Sequence, residues 1–167
     1  MTASRTHTVI DSPIGELTLV NTDGMLSGLY MSDHHPAPDA TTFGPQTSEG
    51  FDEAGGQLRE YFDGTRTTFT FPIAPVGTEF QRTVWTALRA IEYGTTSTYG
   101  EVAASIGRPT AVRAVAAANA RNPLSIIVPC HRVIGSSGRL TGYAGGVERK
   151  QFLLEQEARI AHAPTPA

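Results

Sequence analysis

The sequence predicts an α+β fold in two parts: a small α/β section over residues 1–76, then a helical section over 77–167 with a helix-turn-helix and a glycine-rich loop. Three observations predict it. Short stretches of period-two alternation, bounded by turn residues, fall in the first part. Apolar residues at helical spacing, opened by capping signals, dominate the second. Two of those helical runs are joined tightly through Gly107, with Arg108-Pro109 forbidding continuation of the first.

In the first part, His7–Ile10 reads as a strand. Glu16-Leu-Thr-Leu-Val-Asn21 alternates, Asn21-Thr-Asp-Gly24 supplies turn residues, and Met25–Met31 returns as a hairpin partner. Residues 32–50, rich in Pro, Thr and Asp and without periodicity, are expected to form a mobile loop. The run Asp33-His34-His35 within it has no further ligand at a fixed helical spacing and reads as a chance cluster, not a metal site. Phe51–Phe62 puts Phe51, Ala54, Leu58, Tyr61 and Phe62 on one helical face, and Asp63-Gly64 stops it. Thr67–Phe71 alternates as a strand, and Pro72 and Pro75 mark a linker over 72–78. This section presents no site of its own.

In the second part, Thr78-Glu-Phe-Gln81 fits a capping box, followed by Phe80, Val84, Leu88 and Ile91. Thr98-Tyr-Gly-Glu101 fits another and opens a short helix to Ile106. Thr110 is expected to cap a third helix, Ala111 to about Arg121, stopped by Asn122-Pro123. At about 100° per residue, Val112, Val115, Ala116 and Asn119 form one stripe, while Arg113, Ala117, Ala120 and Arg121 lie opposite. A face of alanines with two arginines suits close entry into a nucleic-acid groove; alanine's helix propensity explains the same composition without DNA. The last helix, Val147–His162, puts Val147, Lys150, Leu153, Leu154, Glu157, Ala158, Ile160 and Ala161 on one face, with Glu148, Glu155, Gln156 and Arg159 opposite.

Net charge is −3, but it is unevenly spread. Residues 1–78 hold three arginines and ten acids, a balance of −7; residues 79–167 hold ten basic residues and six acids, a balance of +4. A basic second half suits an anionic partner, although a solvated surface is the competing reading. No basic-then-apolar leader opens the chain and no apolar run approaches ~18 residues, so a cytoplasmic protein with no membrane partner is expected.

The single cysteine excludes an internal disulfide and any zinc site built on several thiolates. Cys130 follows a short apolar run and a proline, and His131 follows it directly. A free thiol near pKa 8.5 needs a base, a cation or a helix N-terminus to act as a nucleophile. Glu157 points into the middle of an apolar helical stripe, where an unpartnered carboxylate is costly. Pairing with His131 gives nucleophile, base and orienter; pairing with Lys150 or an arginine gives a structural ion pair; curling out to solvent gives neither. Gly135 to Gly146 carries five glycines in twelve residues, a loop able to pass close to a ligand.

Pro129-Cys130-His131-Arg132-Val133-Ile134, with Asn122-Pro123 before it and Gly142-Tyr143-Ala144-Gly145-Gly146 after it, resembles the O6-alkylguanine-DNA alkyltransferase family. The resemblance runs from about Gly77 to Glu157; the first section matches in general architecture. It implies an RNase H-like first domain over 1–76 and a DNA-binding, catalytic second domain over 77–167. It also implies direct repair of O6-alkylguanine, and of O4-alkylthymine, in double-stranded DNA entered through the minor groove. Cys130 would accept the alkyl group irreversibly after base flipping, once per molecule and without a cofactor. His131 would deprotonate it through a water and Glu157 would orient His131. Asn122 would brace the turn between the reading helix and the thiol, and Tyr99 would donate a proton to the departing purine. Arg113 would fill the gap in the duplex, on a DNA face formed with Thr110, Ala114, Ala117, Asn119 and Arg121. Val133, Tyr143 and Ala144 would line the base pocket. Some relatives hold zinc in the first domain through cysteines; this chain has none there, so no metal is expected. Ala144 stands where some relatives have Ser, and Asn119 where some are apolar. A monomer in solution is expected, with clustering on DNA left open.

Three rival functions make distinct demands. A cysteine hydrolase or acyl transferase needs an oxyanion hole and repeated turnover. A non-repairing reader of damaged DNA lacks the cysteine of this motif, which is present here. A redox thiol needs a resolving partner, which this chain does not offer.

Overall fold

The computed structural model describes residues 4–140 and 142–162. Three antiparallel strands, β1 (Arg5–Ile10), β2 (Leu17–Thr22) and β3 (Met25–Met31), form a meander in the order β1-β2-β3. Asp23 and Gly24 both take positive φ, +50° and +82°, so the β2–β3 link is the tight Asp-Gly hairpin that matches strand twist. β2 turns Leu17 and Leu19 into the core. α1 (Asp52–Asp63) packs Ala54, Leu58 and Tyr61 into that same core, ending at Gly64 in the left-handed conformation.

Thr67–Phe71 is not a strand. The Gln57 side chain on α1 accepts from the Thr70 amide (2.9 Å) and donates to its hydroxyl (2.8 Å), so a helix side chain satisfies polar groups that a ladder would have used. Phe71 is buried nonetheless, which explains the alternation. The expected linker over 72–78 is also partly paired: Ile73 bridges Leu26, and the Ala74 amide donates to the Leu26 carbonyl at 2.8 Å.

Residues 32–50 are packed, contrary to the mobile loop expected. Phe43 is buried, stacked 5.5 Å from the Tyr30 ring, and His34 is buried edge-on to the same ring. The His7 amide donates to Pro45 and the Thr47 amide to His7, so the returning chain pairs with the outer edge of β1.

The helices follow. α2 (Glu79–Arg89) starts in a complete capping box: Thr78 Oγ1 accepts from the Gln81 amide (3.1 Å) and Gln81 Oε1 from the Thr78 amide (3.0 Å). α3 (Tyr99–Ser105) is capped by Thr98, whose hydroxyl accepts from the Glu101 amide and donates to its carboxylate. α4 (Val112–Ala120) departs from expectation: Ala111, not Thr110, is its N-cap, and no side chain caps it. The cause is the preceding proline turn, in which the Ala111 amide already donates to the Arg108 carbonyl at 2.9 Å. α4 buries Val115, Ala118 and Asn119 but exposes Val112, because it turns Ala118 toward Trp85, whose indole donates to the Ala118 carbonyl at 2.8 Å. α5 (Val147–Ala161) buries Lys150, Leu153, Gln156 and Glu157. Val147 is exposed, and Gln156 faces inward because its amide donates to the Tyr61 carbonyl at 3.0 Å.

One apolar cluster runs from the sheet through α1 into α2–α5. Pro123–Leu124 lies along the free edge of β3, with the Leu29 amide donating to Pro123 at 2.8 Å. The segment leading to Cys130 is therefore seated on the first section. A parallel pair, β4 (Ser97–Thr98) with β5 (Val133–Ile134), ties the start of α3 to the residues just after the thiol.

Candidate active site

Asn122 closes the loop between α4 and the thiol. Its amide donates to the Val128 carbonyl (2.8 Å) and its Oδ1 accepts from the Leu124 amide (3.0 Å). Within that loop Ile126 holds φ +74°, a strained conformation for a β-branched residue, and its side chain is buried. The chain then forms a single 3₁₀ turn, Cys130–Arg132, all three side chains buried. This turn buries the adjacent Cys130 and His131 together.

His131 is fully buried, and its Nε2 lies 2.8 Å from Glu157 Oε2. Glu157 is held from three sides. Arg132 donates from Nε to Oε1 (2.8 Å) and from Nη2 to Oε2 (3.1 Å), and Tyr61 donates its hydroxyl to Oε2 at 2.6 Å. Burial alone would raise the Glu157 carboxyl; the hydrogen bonds from His131 and Arg132 and the guanidinium charge outweigh it and bring it down to about 2. Glu157 is thus ionised, and the proton in the His131–Glu157 bond sits on Nε2. Burial pushes the imidazole below its ordinary value despite the carboxylate, so the ring is neutral and Nδ1 carries a lone pair. Nδ1 has no protein hydrogen-bond partner.

The two pairings weighed for Glu157 therefore coexist: it orients an imidazole and joins an ion pair with Arg132. Arg132 is itself fixed by a hydrogen bond to the Ile91 carbonyl at 2.7 Å and stacks 5.5 Å from the Tyr93 ring.

Burial pushes the Cys130 thiol up, while the Asn122 amide and the Lys150 ammonium pull the other way. Lys150 is buried with Nζ 2.6 Å from the Val133 carbonyl, and burial lowers it to about 8 against the opposing pull of Cys130. Tyr143 and Ala144 are buried, and Tyr143 lies close enough to Cys130 to feel its charge. The Tyr143 hydroxyl and Ser125 Oγ are buried polar groups facing each other, and Ser125 also faces the thiol. Tyr99, the first residue of α3, is half-buried and is delivered to the same region by the β4–β5 pairing with Val133.

The face of α4 is separate from this centre. Arg113, Ala114, Ala117 and Arg121 are exposed, as is Thr110 in the turn before the helix. Asn119 is buried with its Oδ1 unpartnered, so it does not belong to that face. Among the described residues no three His, Cys, Asp or Glu side chains converge on one point, and no helix is long and apolar enough to cross a membrane.

Sequence reading left two residues here unnamed as partners of Glu157, Arg132 and Tyr61. Arg132 stands inside the motif and supplies the arginine that was weighed for Glu157. Lys150, also weighed for Glu157, donates to the Val133 carbonyl. The first section presents no site of its own, but it lends Tyr61 to Glu157; the two lie 96 residues apart, and no local pattern carries that distance.

Residues 6–75 match the ribonuclease-like domain of 6-O-methylguanine DNA methyltransferase, and residues 79–159 match its DNA binding domain. The chain is 49% identical over 158 residues to the methylated-DNA–protein-cysteine methyltransferase of Mycolicibacterium paratuberculosis, covering 95% of this chain and 94% of that protein. It is 46% identical over 151 residues to the protein of the same name from Methanosarcina acetivorans, covering 90% and 97%. The crystal structure of Mycobacterium tuberculosis OGT in complex with DNA is similar with a TM-score of 0.87 and 47% identity, covering 93% of this chain and 94% of that one.

Proposed function

The chain belongs to the 6-O-methylguanine DNA methyltransferase family, and on that premise we propose that Cys130 is the acceptor in direct, single-turnover repair of O6-alkylguanine, and of O4-alkylthymine, in double-stranded DNA. The chain is a DNA-binding repair methyltransferase that acts on its own cysteine. The observation that carries the assignment is the buried relay: a neutral imidazole next to Cys130, held at Nε2 by an ionised Glu157, with Nδ1 left to receive a proton.

The chemistry follows from those groups. His131 Nδ1, through one water, takes the thiol proton, and the imidazolium formed is stabilised by Glu157. The side-chain amide of Asn122 and the positive charge of Lys150 oppose the burial that disfavours the thiolate. Sulfur attacks the alkyl carbon in line: the S–C bond forms, the C–O6 bond breaks, and its electron pair leaves with the purine. Tyr99 supplies the proton that the purine takes up. The product is a thioether, and this site contains no group that reverses it, so each molecule repairs one lesion.

A stacked base hides its O6 atom, so the base must leave the duplex at a cost of roughly a few kcal/mol. We assign that task to α4 working through the minor groove, with Arg113 filling the gap and Thr110, Ala114, Ala117 and Arg121 against the backbone. Asn119, which the resemblance put on that face, is buried, in keeping with its helical stripe. Val133, Tyr143 and Ala144 form the wall of the purine pocket. We propose the same division of labour for residues 1–76 and 77–167, a monomer in solution, and action in the cytoplasm.

Titration tests the reading. Increasing amounts of duplex carrying O6-methylguanine should be repaired to a plateau of one lesion per protein molecule. Continued repair past that plateau would instead favour a turnover transferase.

A further inference from the structure

The loop Tyr143–Gly146 is stitched to the first section at several points. The His35 amide donates to the Ala144 carbonyl at 2.7 Å. Arg149, in the first turn of α5, donates from Nη1 to the Gly145 carbonyl (3.1 Å) and the Ser32 carbonyl, and from Nε to the Ile14 carbonyl (2.9 Å). One guanidinium therefore ties three backbone carbonyls: one in the loop, one at the end of β3 and one in the β1–β2 connection. Behind the loop there is no clearance. A methyl group built on Gly145 would stand 2.2 Å from Met31 Sδ, and Met31 is buried.

We infer that Arg149 is a positioning residue that clamps the purine-pocket wall against the first section and so limits the size of adduct the site accepts. This rests on the reading of Tyr143 and Ala144 as that wall. A wall held laterally by Arg149 and His35, and backed by Met31, cannot retreat to admit a bulky group. The planar fork explains why arginine serves: its nitrogens reach carbonyls in different directions, whereas a lysine ammonium is a single point. The charged and titratable groups facing Arg149 are His34 and Tyr143, and both are buried. No carboxylate is paired with it among the described residues, so its role is to hold carbonyls.

The test compares rates of transfer from duplexes carrying O6-methylguanine and O6-benzylguanine, for the wild type, Arg149→Ala, Arg149→Lys and Gly145→Ala. Undamaged-duplex binding and a thermal melt report folding in each. Arg149→Ala should slow methyl transfer yet raise the benzyl-to-methyl rate ratio several-fold, and Arg149→Lys should raise it less. Gly145→Ala, which pushes the wall off Met31 into the pocket, should lower the ratio. A purely structural role would lower both rates by a common factor and leave the ratio unchanged; that result in Arg149→Lys overturns the inference even if Arg149→Ala fails to fold. A wild type that accepts neither group overturns the proposed function itself, a separate outcome.

Discussion

The Tyr61 hydroxyl, on α1 of the first section, donates a 2.6 Å hydrogen bond to the same Glu157 oxygen that faces His131 Nε2. The first section is thus tied by a hydrogen bond to the buried Glu157–His131 pair and does more than supply bulk to the fold. Tyr61→Phe keeps the ring's packing and removes only the donor. Loss of a hydrogen bond to a buried charge should cost about 1.5–3 kcal/mol in a urea titration. Transfer to Cys130 should slow as well, because Glu157 holds the imidazole less firmly.

Glu157 serves two masters, and two substitutions separate them. Glu157→Ala leaves Arg132 buried without its carboxylate and should cost about 3–5 kcal/mol. Glu157→Gln keeps the shape, but its amide can donate to His131 Nε2 and so drive the proton to Nδ1, where it blocks the base. The expected result is a folded protein that still binds DNA while alkyl transfer falls by orders of magnitude, measured by single-turnover kinetics.

Acid should destabilise the fold in two stages of the same sign. The buried His131 resists protonation that the unfolded chain accepts, so stability falls as pH drops below about 6.5. Glu157 is held down to about 2 against an ordinary 4.5, so its contribution is complete above 4.5 and is lost as pH falls toward 2. That second stage amounts to something on the order of 3 kcal/mol. Denaturation midpoints measured from pH 7 to 3 should decline throughout, with the steeper part below 4.5 weakened in Glu157→Gln.

Arg113 is exposed on α4 and contributes nothing to the buried relay. Arg113→Ala should leave the thermal melt unchanged and leave reaction with free O6-benzylguanine base unchanged. Reaction with a lesion in duplex DNA should fall about 10- to 100-fold, the share of a few kcal/mol of extrusion cost that the side chain offsets.

Much of this was legible before any coordinates. The Thr78–Gln81 box, the β2–β3 hairpin and the position of Glu157 on α5 follow from local chemistry, which operates over a few residues and leaves a periodic trace. What failed failed for physical reasons. Thr67–Phe71 alternates because Phe69 and Phe71 pack inward, yet Gln57 satisfies its backbone in place of a neighbouring strand. Residues 32–50 lack periodicity but are fixed by Phe43 and His34 packed on the Tyr30 ring of β3, by the pairing of Pro45 and Thr47 with His7 of β1, and by the His35 amide on the Ala144 carbonyl. The relay itself was half visible: Cys130, His131 and Glu157 were nameable from a motif and a stripe, while the hold of Tyr61 on Glu157 exists only once α1 and α5 have packed together.

The most direct measurement is the intact mass of the protein after incubation with duplex DNA carrying O6-methylguanine, followed by peptide mapping. The account predicts a gain of one methyl group on every reacted molecule, located on Cys130 and missing in Cys130→Ser. An unchanged mass beside demethylated DNA, or a methyl group found on any other residue, would contradict it.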